Sequence, residues 1–135
     1  MNEQLKQAYL ETDYKVFNPS LIIKIGKHNT TLDNLLVING KIEWAYITPY
    51  NPFSKLLSEA ENDQRFEELK NKIANYIFFE GEGVGTDSLW KPERSFLIIG
   101  ITKANAIEIG NEYEQNAILY GTLYQQPELL FLNNM

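Results

Sequence analysis

The chain has 135 residues, 44% of them hydrophobic, and 12 basic against 18 acidic side chains for a net charge of −6. A chain of this length forms one domain, residues 1–135, with a core of its own, and its acidic balance disfavours nucleic acid and anionic membrane as partners. With no cysteine and one histidine, His28, thiolate nucleophiles, redox pairs and zinc sites of the Cys or Cys/His type are excluded.

The first residues, from Met1 to Gln7, lack the apolar stretch of a signal peptide. No apolar run reaches the ~18 residues of a membrane span, so a cytoplasmic protein without membrane contact is expected. The spacing of Leu5, Ala8 and Tyr9 predicts a short helix over residues 3–11. Tyr14 to Phe17 and Leu21 to Ile25 are rich in β-branched and aromatic residues, and Asn18-Pro19 between them makes one broken strand or a hairpin. Thr30 or Thr31 is expected to cap a short helix bearing Leu32, Leu35 and Leu36, stopped at Asn39-Gly40.

A strand over Ile42 to Ile47 ends at Pro49-Tyr50-Asn51-Pro52, where neither proline can donate to a ladder. Ser58-Glu59-Ala60-Glu61 is a capping box opening a helix whose inner stripe is Phe66, Leu69 and Ile73. Tyr76 to Phe79 reads as a strand running into a glycine-rich acidic loop, Glu80 to Asp87. Ser95 to Ile101 is the most continuously apolar segment and suits a central strand buried on both faces. Thr102 caps a further helix through Ala106 and Ile109, and Asn116 to Gly121 and Leu129 to Leu132 close the chain as strands.

From Ile42 onward the order strand, helix, strand, strand, helix, strand is the split βαβ, or ferredoxin-like, pattern. The expected class is therefore α+β: an antiparallel sheet with strands 42–48 and 95–101 at its centre and helices on one face. The N-terminal helix, strand and short helix and the C-terminal strand extend this core. In that topology Thr48 and Asn51, the glycine loop, Glu93 to Ser95, and Gln115-Asn116 meet at one end of the sheet. A first strand running with 42–48 brings Lys27-His28 there too. Loop-lined sheet ends are where such folds place ligands.

Several segments together, in this order and spacing, resemble the bacterial domain of unknown function 3293 family. They are Ala8-Tyr9 with Thr12 and Tyr14, Thr48 to Pro52 with Ser54, Glu61-Asn62, Gly81-Glu82-Gly83, Trp90 to Phe96, and Tyr113 to Ala117. The resemblance implies no reaction. It marks Thr48, Asn51, Asn62, Trp90, Glu93, Ser95, Gln115 and Asn116 as polar motif positions.

Each candidate has a plainer alternative. Gly81-x-Gly83-x-Gly85 fails as a phosphate cradle because it opens no helix and carries Glu80, Glu82 and Asp87; no metal site and no cofactor is expected. Lys27 and His28, before a helix start, form a weak anion site or simply an exposed loop. Thr48, Asn51, Trp90, Glu93, Ser95, Gln115 and Asn116 form a shared ligand pocket, or else Asn51 satisfies turn amides and Glu93 pairs with Arg94 or Lys91. The expectation is a small binding or interaction module with a polar pocket at one sheet end, its partner a small molecule or a protein, with a homodimer left open. The alternative is a hydrolase or transferase using Glu93 as acid or base, with Asn51 and Gln115 orienting substrate.

Overall fold

A computed structural model describes residues 3–132. In chain order the elements are α1 (Glu3–Glu11), β1 (Asp13–Val16), β2 (Leu21–Ile23), α2 (Thr30–Ile38), β3 (Glu43–Ile47), α3 (Glu59–Lys72), β4 (Ile77–Val84), β5 (Glu93–Ile99), α4 (Lys103–Glu112), β6 (Ala117–Thr122) and β7 (Glu128–Phe131). The strands form one sheet in the order β2-β1-β4-β5-β3-β6-β7, every neighbouring pair antiparallel. The sheet curls, and just beyond its edges the Gly26 amide donates to the Pro127 carbonyl at 3.1 Å. Among the described residues no helix is long and apolar enough to cross a membrane.

Strand alternation sorts the core into two layers. Ala45, Ile47, Phe96, Ile98 and Ile118 point to one face and meet Phe66, Leu69 and Ile73 of the α3 side and Ala106 and Ile109 of α4. Phe66 stacks on Phe96 with ring centroids 4.3 Å apart. Trp44, Tyr46, Leu97, Ile99 and Leu119 point the other way, against Leu32 and Leu36 of α2 and against Tyr14, Val16, Leu21 and Ile23 of the β1–β2 hairpin. Helices therefore cover both faces, where one covered face was expected. The cause is the two-sided apolarity of β3 and β5, which leaves no face fit for water.

The capping box at Ser58 and Glu61 forms in both directions, and the Thr102 side chain accepts from the Asn105 amide. At α2 the cap is Asn29, whose Oδ1 accepts from the Leu32 amide at 2.9 Å, rather than Thr30 or Thr31.

The expected glycine loop is largely strand. β4 continues to Val84, pairing Gly81 with Val16 on one side and Ser95 on the other, and Gly83 with Tyr14 and Glu93. A Cβ at Gly81 would lie 1.8 Å from the Lys15 carbonyl oxygen, so the glycine is what allows β1 to close on β4.

Candidate functional site

The β3–α3 connection is built from unusual backbone. Asn51, Phe53 and Ser54 all have left-handed φ, at 49°, 51° and 62°. Such conformations cost about 1–3 kcal/mol each and persist only where their surroundings hold them. Here the restraint comes from two helices and the start of β6. Asn62 accepts from the Asn51 amide and donates to Asn51 Oδ1, both at 2.9 Å, and the Leu57 amide donates to that same oxygen at 3.0 Å. Arg65 donates to the carbonyls of Pro49 and Tyr113, each at 2.6 Å. Gln115 Nε2 donates to the Tyr50 carbonyl at 2.9 Å, and Asn116 Nδ2 to Ser54 Oγ at 3.0 Å. With its oxygen engaged, the Asn51 amide nitrogen is aimed at Glu93 Oε2, 2.7 Å away.

Glu93 opens β5, and alternation splits it from its neighbour. Arg94 points to the α3 side, where its guanidinium sits 3.8 Å from the Phe66 ring centroid and faces Glu80 and Asp63 at 3.6 and 3.8 Å. Glu93 points to the opposite side. The alternative pairing of Glu93 with Arg94 or Lys91 does not form, and among the described residues Glu93 belongs to no ion pair. Its contacts are neutral: Asn51 Nδ2 and Trp90 Nε1, the latter at 3.1 Å, both donate to Oε2. Burial pushes the Glu93 carboxyl above the usual carboxylate range, and the Asn51 and Trp90 hydrogen bonds oppose that rise.

Beside this carboxylate lies a cavity of about 320 Å³ between α1 and the sheet. Leu5, Ala8 and Tyr9 of α1 contribute one wall, and Tyr14, Tyr46, Thr48 and Ser95 another. Gly83 and Gly85 line the space without side chains, so the cavity exists where β4 leaves the layer unfilled. Burial and the negative charge of Glu93 push the Tyr9 hydroxyl up to about 12, while Ser54 and Asn116 hydrogen-bond to it. The lining includes no Lys, Arg or His; its charged members are Glu93 and Asp87.

The residues singled out from the sequence separate into three groups. Thr48, Trp90, Glu93 and Ser95 line the cavity. Asn51, Gln115 and Asn116 stand behind it and fix the loop, so the amides of Asn51 and Gln115 meet protein atoms: a carboxylate and the Tyr50 carbonyl. Lys27 and His28 are absent from this rim, although β2 runs in the same sense as β3. His28 Nε2 instead pairs with the Asp33 carboxylate, whose other oxygen accepts from the Tyr124 amide at 2.9 Å. There it borders an open recess beside Tyr120, Thr122 and Tyr124, at the far end of β6. A carboxylate thus stands where an anion was expected. Tyr9, Tyr14, Tyr46 and Ser54 were not selected as pocket residues. The available signal was the tyrosines themselves, since a buried phenol must find a hydrogen-bond partner.

The family described as protein of unknown function (DUF3293) matches residues 47–118. This chain belongs to the DUF3293 family. The matched segment runs from the end of β3 to the start of β6 and so contains the braced loop, Asn62, Trp90, Glu93 and Gln115. The remaining cavity walls of this DUF3293 chain, Tyr9, Tyr14 and Tyr46, precede the match. No curated protein and no solved structure matches the chain.

Proposed function

We propose that this DUF3293 chain is a small-molecule-binding module whose ligand occupies the cavity beneath α1 and contacts Glu93. One observation carries the reading. Glu93 lines a cavity of about 320 Å³; its Oε2 accepts from both Asn51 and Trp90, and its Oε1 accepts from no described residue. An accessible carboxylate oxygen without a protein donor is open to a ligand's hydrogen bonds, and the volume lies in the range of small-molecule pockets. Strained backbone gathered around the Asn51 donor supports the same reading, because such strain collects at ligand clamps. We assign β3, α3, β4, β5, α4 and β6 to a ferredoxin-like core, a reading supported by their chain order and by the sheet order β4-β5-β3-β6.

The test is a thermal-shift screen of metabolites and metal ions on the wild type and on Gly83→Val. A Cβ at Gly83 meets nothing closer than 3.7 Å, so the valine narrows the cavity with little disturbance of the strand. A ligand at 100 times its Kd stabilises by about 2.7 kcal/mol, a shift of several degrees. Compounds that shift the wild type and not the variant support the reading. Compounds that shift both equally place the binding elsewhere.

A second reading, a hydrolase or transferase, is favoured by the raised pKa of Glu93, because burial makes the carboxyl hold its proton more readily than an ordinary carboxyl does. In that reading Asn51 is a positioning residue for the carboxylate. Turnover that Glu93→Gln abolishes while binding persists decides for it.

A further inference from the structure

We propose that the ligand presents a primary ammonium group to Glu93. The inference rests on the cavity being the ligand site, and it names the chemical class that site takes.

The charge inventory is one-sided. Glu93 and Asp87 are the charged residues of the lining, and the nearest chain neighbour of opposite sign, Arg94, is turned to the other face of the sheet. A carboxylate drawn out of water costs free energy unless a cation accompanies it, and Asn51 and Trp90 supply dipoles rather than charge. A cationic ligand supplies the missing counter-charge, whereas an anion meets two carboxylates.

The hydrogen-bonding inventory narrows the class further. Tyr14 donates its hydroxyl proton to the Tyr9 carbonyl at 2.8 Å and Tyr46 to the Lys15 carbonyl at 2.6 Å. Thr48 donates to the Arg94 carbonyl at 2.8 Å and Ser95 to the Glu93 carbonyl at 2.9 Å. Each of these hydroxyls spends its single proton on the backbone and keeps only lone pairs for a ligand. Together with Glu93 Oε1 they make a surface of acceptors. An ammonium group, with three donors and no acceptor, matches that surface; a carboxylate finds as hydroxyl donors only Tyr9 and Ser54, beside the negative charge of Glu93, and a hydroxyl offers one proton where several acceptors wait. The aromatic walls, Tyr9, Tyr14, Tyr46 and Trp90, add ring surface that tolerates positive charge.

The experiment is calorimetric titration of the full chain at pH 7 with four probes of one shape: benzylammonium, benzyl alcohol, benzyltrimethylammonium and benzoate. Benzylammonium should bind at least about tenfold more tightly than benzyl alcohol, the difference expected for hydrogen bonds to a charged group. Benzyltrimethylammonium, charged but without N–H donors, should be weaker than benzylammonium, and benzoate should not bind. Glu93→Gln keeps an oxygen for the Asn51 and Trp90 donors and should bring benzylammonium close to benzyl alcohol; Gly83→Val should remove both. As an independent readout in the wild type, the indole N–H resonance of Trp90, which touches the same carboxylate, should move with benzylammonium and not with benzoate. If benzyl alcohol binds as tightly as benzylammonium and Gly83→Val abolishes both, the ammonium assignment falls and the cavity reading stands. If no probe binds the wild type, or Gly83→Val binds as the wild type does, both fall.

Discussion

The two faces of the sheet use the same strands for opposite ends. On the α3 and α4 side, Phe66, Phe96, Ile98 and Ile101 are fully buried in one packed cluster. Charge at its margin is matched: Lys70 meets Glu80 at 3.0 Å and Arg94 lies between Glu80 and Asp63. On the α1 side the alternate residues of β4 and β5 are Gly81, Gly83, Glu93 and Ser95, and α1 itself contributes no buried residue. One face carries ion pairs at its margin; the other holds a space and a carboxylate that belongs to no ion pair among the described residues. Both faces carry a buried core, so the difference is local: the space lies at the end of the second face where α1 covers the glycines of β4.

That contrast can be broken by mutation. The largest effect should come from the α3 and α4 side: Phe66→Ala removes a ring with no exposure and its stack on Phe96, for a loss of about 3–5 kcal/mol in urea unfolding. Next is the junction between β1 and β4. Gly81→Ala forces a methyl group into the Lys15 carbonyl and should cost about 2–4 kcal/mol, while Gly83→Ala, with its nearest contact at 3.7 Å, should cost under about 1 kcal/mol. Equal losses at the two glycines would mean that the space beside Gly83 is packed as tightly as the β1–β4 junction at Gly81.

Asn51→Ala should lower stability by about 2 kcal/mol, because it leaves the buried Asn62 amide and the Leu57 N–H without their acceptor and puts alanine at a left-handed φ. The smallest effect is at Glu93. Its folded-state pKa is raised, so the folded state favours the protonated acid: the stabilising contribution is present below the ordinary carboxylate pKa and is lost as pH rises through the folded value. Glu93→Gln therefore should melt at or above the wild type at pH 7, and the gap should close towards pH 4. Thermal unfolding across that range checks both the sign and the slope.

Much of the frame was legible in the sequence because its signals are local. The Ser58 and Glu61 capping box, the Thr102 cap and the apolar run of β5 each depend on residues within a few positions, and each forms as expected. The meeting of Asn51 with Glu93 followed from topology, since antiparallel neighbours put the exit of β3 beside the entry of β5. What escaped the sequence depends on partners far along the chain. Gly81 and Gly83 weaken any local strand pattern; the approach of β1 explains Gly81, and Gly83 borders the cavity. Gln115 binds the Tyr50 carbonyl, an acceptor every residue carries and no pattern marks. His28 found Asp33 within its own helix start, turning a candidate anion site into an internal pair. The second covered face required knowing that α2 folds back across Trp44 and Leu97 rather than joining α3.

The most direct measurement is an NMR titration of the Glu93 side-chain carboxyl, taken with and without saturating benzylammonium. The groups facing it are the hydroxyls of Tyr9 and Tyr14, the Asn51 amide and the Trp90 indole, none of them cationic. The account predicts a pKa above the ordinary carboxylate range in the free protein and a fall when the ammonium probe binds. A Glu93 that titrates at or below the ordinary value, and stays there with the probe present, would contradict it.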